Sequence, residues 1–293
     1  MNATDGGGGQ GGGTGASAGL GAGAIRDLAT RHGIRPTKSL GQHFLIDPNL
    51  ARAIVADAGV APGDRVVEIG AGLGSLTVAL AAAGARVRAI EFDRMLIPAL
   101  EEATAGLDGV EIVHADAMKV DWAAELASET WTVCANLPYN VAAPLVLTIL
   151  EQAPTVGLAV VMVQREVGER FAATPGQEGY GAVSVRVAYR AAATIVRRVP
   201  ASVFWPRPKV ASVVVRLDRL DTLPVGADPE RLWRVVDAGF AERRKTMRNA
   251  LRRIGLDLAA ADAVLASCGV ASSARAEELD LATFAAIGEA LPK

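Results

Sequence analysis

Glu68-Ile69-Gly70-Ala71-Gly72-Leu73-Gly74 closes a short β-rich run, Val66 to Ile69, and opens an Ala/Leu-rich helical stretch over 75–83. Glycines between a strand and a helix permit a tight turn and let a ligand approach bare backbone at the helix start. Working outward, Val87 to Ile90 reads as a strand, 94–105 as a helix and Val110 to His114 as a strand. Strands alternating with crossover helices imply a parallel sheet. Trp131 to Ala135 and Leu158 to Val163 add strands, and Thr194 to Val199 with Ser212 to Leu217 reads as a terminal antiparallel pair. The strand signal stops near Leu220, and 229–292 reads as several short helices. The expected architecture is α/β: a Rossmann-like sheet domain over 25–220 and a small all-α domain over 221–293. Residues 2–24 are dominated by Gly with Ala, Ser and Thr, too little apolar bulk to offset the entropy of ordering, so 1–24 is expected to be a disordered tail. Asp47-Pro48 has the form of an N-cap followed by proline at the first helical position, and predicts a helix to about Ala58.

A chain of 293 residues, 51% apolar, can bury a sizeable core. Its net charge of -2 argues against a uniformly basic coat, so nucleic-acid contact would need a local basic patch. Cys134 and Cys268 lie far apart with no CxxC or Cys/His ligand spacing, which disfavours a zinc site or disulfide framework and suits a reducing cytoplasm. No apolar segment flanked by basic residues marks the N-terminus as a signal peptide. Residues 130–150 carry no charge, but Asn136, Pro138, Tyr139, Asn140 and Pro144 interrupt them as a membrane span.

Glu91 ends the strand after the glycine turn, about 20 residues on, where a carboxylate can accept ribose hydroxyls. Alone, this fits NAD, FAD or S-adenosylmethionine, and also a turn with no ligand. Two features favour S-adenosylmethionine. The spacing is Gly-x-Gly-x-Gly preceded by Glu68, unlike the dinucleotide Gly-x-Gly-x-x-Gly, and Asp116 closes the next strand where a carboxylate can meet an adenine amine. Asp116 is also a candidate helix N-cap.

Asn136-Leu137-Pro138-Tyr139 follows an apolar, strand-like run. It can be read as a turn, but it also has a definite chemistry. The amide oxygen of Asn136 and the Pro138 carbonyl are two acceptors that can grip an amine conjugated to a base, while Tyr139 offers a stacking face. Two acceptors favour the pyramidal nitrogen that attacks a sulfonium methyl, so orientation and electrostatics supply most of the rate, with no metal and no strong base. Further on, Arg243, Arg244, Lys245, Arg248, Arg252 and Arg253 stand against one acid, Glu242. On a helix, 244, 248 and 252 would share a face suited to phosphates. Arg186, Arg190, Arg197, Arg198, Arg207 and Lys209 extend the candidate basic surface.

Gly41 to Asp47, Glu68 to Thr77, Asn136 to Asn140, Gln164 to Val167, Tyr180 to Val185, Val203 to Val210 and Arg243 to Asn249 occur in this order. Together they resemble the ribosomal RNA adenine N6,N6-dimethyltransferases of the small-subunit type, over nearly the whole chain beyond the tail. The resemblance implies a fold of the S-adenosylmethionine-dependent methyltransferase kind. It puts His43 and Leu45 on the methionine and ribose side of S-adenosylmethionine, Gly70 at the turn, Glu91 on the ribose, Asp116 on the adenine and Asn136 near the transferred methyl. Tyr139 and Phe204 would stack on a base drawn out of the RNA, although Phe204 lies in an apolar stretch that reads equally as core. Arg243, Arg244, Lys245 and Arg248 would hold RNA. His43 stands where many relatives carry Asn, and Ala71 replaces a frequent Pro. The implied reaction places two methyl groups on each of two adjacent adenosines near the 3′ end of 16S rRNA. The expected partner is an assembling small subunit, and the expected enzyme is a cytoplasmic monomer without metal. Alternatives are the related large-subunit RNA dimethyltransferase that confers macrolide resistance, a non-catalytic assembly factor, and a nicotinamide oxidoreductase.

Overall fold

Residues 19–37, 41–138, 141–242 and 244–292 are described in the computed structural model of the chain. Helix α1 (Ala22–Arg31) and the short strand β1 (Phe44–Leu45) precede α2 (Pro48–Asp57), which Asp47 caps by accepting from the Asn49 and Leu50 amides. The alternation then runs β2 (Arg65–Ile69), α3 (Ser75–Ala82), β3 (Arg86–Glu91), α4 (Ile97–Thr104), β4 (Val110–His114), α5 (Trp122–Glu125), β5 (Trp131–Asn136), α6 (Ala142–Gln152) and β6 (Val156–Gln164). After α7 (Arg165–Ala172) and α8 (Ala182–Ala188) come β7 (Ala191–Val199), β8 (Phe204–Trp205) and β9 (Ser212–Arg219). Helices α9 (Pro229–Phe240), α10 (Met247–Arg253), α11 (Leu258–Ser267) and α12 (Leu281–Ala290) complete the chain.

The large sheet has the order β4-β3-β2-β5-β6-β9-β7, parallel through β6, with β9 antiparallel to both its neighbours. Pairing of Ile69 with both Ile90 and Ala135 keeps the carboxyl ends of β3, β2 and β5 level. The order reverses between β2 and β5, which opens a crevice beyond those ends. One face of the sheet packs on Trp122, Leu145, Ile149 and Phe171, the other on Ile54, Leu76, Leu80 and Leu100. Burial of both faces explains why the central strands read as nearly continuous apolar runs.

Three expectations shift. Helix α1 begins at Ala22, inside the stretch read as tail, because Ile25, Leu28 and Ala29 are buried against Phe44, Leu73, Leu96 and Ala99. Helix α4 begins at Ile97 rather than 94, since Asp93 Oδ1 accepts from the Met95 amide in a turn ahead of Pro98. The sheet ends near Leu220 as expected, but the core of the helical segment reaches back across that point: Tyr180, Val185 and Tyr189 pack with Leu232, Val236, Met247, Leu251 and Phe284. The Tyr180 hydroxyl donates to the Leu279 carbonyl at 2.8 Å. Arg186 donates to both oxygens of Asp237 at 2.9 Å and lies over the Trp233 ring, 4.6 Å from its centroid.

Candidate active site

A cavity of about 330 Å³ occupies the crevice, lined by the ends of β2, β3 and β5, the loop after β4, and the segment Gly41–Leu45. The glycine turn forms its floor. Gly70, Gly72 and Gly74 have φ of +75°, +59° and +85°, in the left-handed region that a side chain resists. A Cβ on Gly72 would also meet the Phe44 ring at 3.2 Å. The turn is pinned to β3, because the Gly70 amide donates to the Ile90 carbonyl at 2.8 Å and the Gly72 amide to Glu91 Oε2 at 2.8 Å.

Glu91 is only 6% exposed, and its other oxygen accepts from the Asp93 amide at 2.8 Å. Each carboxylate oxygen keeps a lone pair beyond these bonds. Burial raises the Glu91 carboxyl above its ordinary value despite the amides that favour its charge. Below it, Glu68 is 2% exposed, and burial, reinforced by the nearby Glu91 charge, pushes its carboxyl up to about 8 against the lowering effect of Thr77. Glu68 is paired across the sheet with Cys134, whose thiol burial and the Glu68 charge push up to about 12, so this cysteine is an inert core residue.

Asp116 lines the cavity and accepts from the Met118 amide at 3.0 Å in a turn; it caps no helix, since α5 starts at Trp122 and is capped by Asp121. Leu45 lines the cavity from β1, its carbonyl held by the Ser75 hydroxyl. Asn136, at the end of β5, points its NH2 at the His43 carbonyl, 3.0 Å away. Pro138 also lines the cavity; its carbonyl accepts from the Val141 amide at 3.2 Å and retains a second lone pair. His43, Leu45, Gly70, Glu91, Asp116, Asn136 and Pro138 are thus brought together around one space. Tyr139 and Arg243 lie outside the described residues.

Other expected site residues stand elsewhere. Phe204 is 3% exposed in the core between β8 and α2, with Ile54 and Val199 for company, and does not line the cavity. Its place in the β1–β8 pair, opposite Leu45, turns it inward. The proposed stripe of 244, 248 and 252 does not form, because α10 starts at Met247 and Arg244 lies in the turn before it. Arg248 donates to Asp262 at 2.5 Å, Arg253 to Glu242, and Arg197 to Asp57, so these cations are neutralised within the chain. Arg244, Lys245 and Arg252 are exposed. Residue-by-residue reading overlooked Gln42, which donates to Asp93 at 2.6 Å, and the rim formed by Phe92 and Met118, 55% and 42% exposed. The available signal was position: Phe92 directly follows the strand-end acid Glu91, and Met118 follows Asp116 by one residue more.

Strand order, glycine turn and strand-end carboxylates together define the class as a Rossmann-like protein that binds an adenosine-bearing cofactor. The family model described as ribosomal RNA adenine dimethylase matches residues 34–293. The chain belongs to that family. Among its relatives are the ribosomal RNA small subunit methyltransferases A of Leifsonia xyli, 46% identical over 89% of this chain and 94% of the relative, and of Thermobifida fusca, 46% identical over 92% and 94%. A dimethyladenosine transferase from Plasmodium falciparum superposes with a TM-score of 0.70 at 25% identity, covering 84% of this chain and 96% of that one. The 23S rRNA methyltransferase ErmE superposes with a TM-score of 0.67 at 26% identity, covering 85% and 99%. Small-subunit relatives therefore stand much nearer in sequence than this large-subunit enzyme.

Proposed function

We propose that the chain dimethylates the N6 amines of two adjacent adenosines near the 3′ end of 16S rRNA, acting on an assembling small subunit. The reading is carried by the Asn136 amide and Pro138 carbonyl meeting Glu91 and Asp116 around one cavity. Small-subunit relatives at 46% identity support the choice of substrate. The donor is S-adenosylmethionine, which supplies an electrophilic sulfonium methyl. Glycine backbone held at positive φ, and a buried carboxylate with lone pairs to spare, fit an adenosine-bearing donor.

In this reading Glu91 accepts the ribose hydroxyls, Asp116 the adenine amine, and Gly70, Leu45 and His43 bound the methionine side. Asn136 and the Pro138 carbonyl hold the target amine with its lone pair toward the methyl, and Tyr139 stacks on the drawn-out base. The product's proton can leave afterwards to water, so no strong base is needed. Arg244 and Lys245 meet RNA phosphates from the turn before α10, and Arg243 adds a third cation to that contact. The enzyme works as a cytoplasmic monomer, and among the described residues no helix is long and apolar enough to cross a membrane. The catalytic assignment is tested by single-turnover methylation with Asn136→Ala at saturating cofactor. Loss of about 100-fold is expected from removing one preorganised polar contact, and a near-normal rate would remove Asn136 from the mechanism.

A further inference from the structure

His43 lies where two parts of the site meet. Its carbonyl accepts from Asn136 Nδ2 at 3.0 Å, and its ring Nδ1 sits 2.7 Å from the Pro206 carbonyl oxygen. A carbonyl only accepts, so Nδ1 carries a proton in that contact and donates it. The backbone explains why both bonds are available. In the antiparallel β1–β8 pair, Phe44 stands opposite Trp205, and the Ile46 amide donates to the Val203 carbonyl at 2.9 Å. Hydrogen-bonded and non-hydrogen-bonded positions alternate along such a pair. One step beyond Phe44 and Trp205, His43 and Pro206 fall at a non-hydrogen-bonded position. Proline has no N–H to offer there, and the His43 carbonyl turns away from β8, to Asn136. The loop beyond Pro206 carries two exposed cations, Arg207 and Lys209.

Resting on the methyl-transfer reading above, we propose that His43 is a positioning residue that couples the loop bearing Arg207 and Lys209 to the amide of Asn136. RNA phosphate settling on that loop fixes Pro206. The ring bond then fixes the His43 backbone, and the His43 carbonyl fixes the rotation of the Asn136 amide. The donor through which this coupling runs is Nδ1. Asn carries an N–H at the same distance from Cβ, whereas Gln carries it one bond further out.

The test compares His43→Asn, His43→Gln and His43→Ala in the full-length protein. The readouts are single-turnover methylation of unmethylated small subunits, cofactor affinity by calorimetry, and the Asn136 side-chain NH2 resonance. We expect Asn to recover the rate by about 10-fold or more over Gln and Ala, as for a lost hydrogen bond that aligns a reacting group. Cofactor affinity should differ far less among the three, and the Asn136 resonance should return toward its wild-type position only in His43→Asn. Equal rates for Asn and Gln would overturn the proposal. So would a deficit that vanishes when cofactor is raised, since His43 would then act only as a cofactor contact. If the wild type methylates no RNA, the functional reading falls, while the Asn136 resonance still reports whether the ring bond controls the amide.

Discussion

Asn136 donates from Nδ2 to the carbonyl oxygen of His43 at 3.0 Å, across 93 positions of sequence. The acceptor settles which way the amide faces: one N–H of the NH2 is held by the His43 carbonyl, which sets Oδ1 on the opposite side of the amide. A residue on β5 therefore depends for its orientation on the segment beside β1.

Asn136→Asp tests that dependence. A carboxylate keeps an oxygen toward the cavity but sets another against the His43 carbonyl, replacing a hydrogen bond by repulsion. The single-turnover rate should fall at least as far as in Asn136→Ala, about 100-fold. An aspartate variant clearly more active than the alanine variant would show that the His43 contact does not orient the group.

Glu91→Gln separates charge from shape at the floor of the cavity. Both carboxylate oxygens accept backbone amides, from Gly72 and Asp93. Glutamine must turn an NH2 toward one of those donors. Hydrogen bonds to charged groups contribute about 1.5–3 kcal/mol, so cofactor affinity measured by calorimetry should weaken roughly 10- to 100-fold. Unchanged affinity would remove Glu91 from the cofactor site.

Much of this site was legible in the sequence because its parts sit at strand ends, and strand ends were marked by Gly70, Glu91, Asp116 and Asn136. Parallel register then brings them together with no further information. Phe204 and Arg248 were not legible for a different reason. Whether an aromatic residue faces a cavity or a core depends on a two-residue pairing between Leu45 and Phe204 that leaves no periodic trace. Whether an arginine meets RNA or an internal acid depends on Asp262, a helix away. The start of α1 was missed because three apolar residues, Ile25, Leu28 and Ala29, sufficed to order a segment whose upstream composition is nearly all small residues.

Glu68→Gln should change the pH dependence of stability. Its carboxyl ionises near 4.5 when unperturbed and near 8 in the folded protein. Between those values the unfolded chain has released a proton that the folded chain still holds, so stability falls as pH rises through that window. Glutamine removes this effect. The variant should match the wild type near pH 4 and exceed it at pH 8 by a few kcal/mol, of the order set by such a shift. Parallel melting profiles from pH 4 to 9 would show that Glu68 ionises normally.

The exposed and paired cations of the helical segment should separate by salt dependence. Arg244→Ala and Lys245→Ala should each weaken RNA binding and reduce the slope of log affinity against log salt by about 1. Arg248→Ala leaves the partly buried Asp262 unpaired, and should lower the melting temperature with a smaller change in salt slope. The reverse assignment would place Arg248 on RNA and its acid pair out of reach in the complex.

The central claim is tested most directly by transferring labelled methyl from S-adenosylmethionine to unmethylated small subunits, large subunits and naked ribosomal RNA, followed by nucleoside analysis and mapping. Dimethyladenosine at two adjacent positions near the 3′ end of small-subunit RNA is the predicted result. Label chiefly in large-subunit RNA, or no label from a protein that binds both cofactor and RNA, would contradict it.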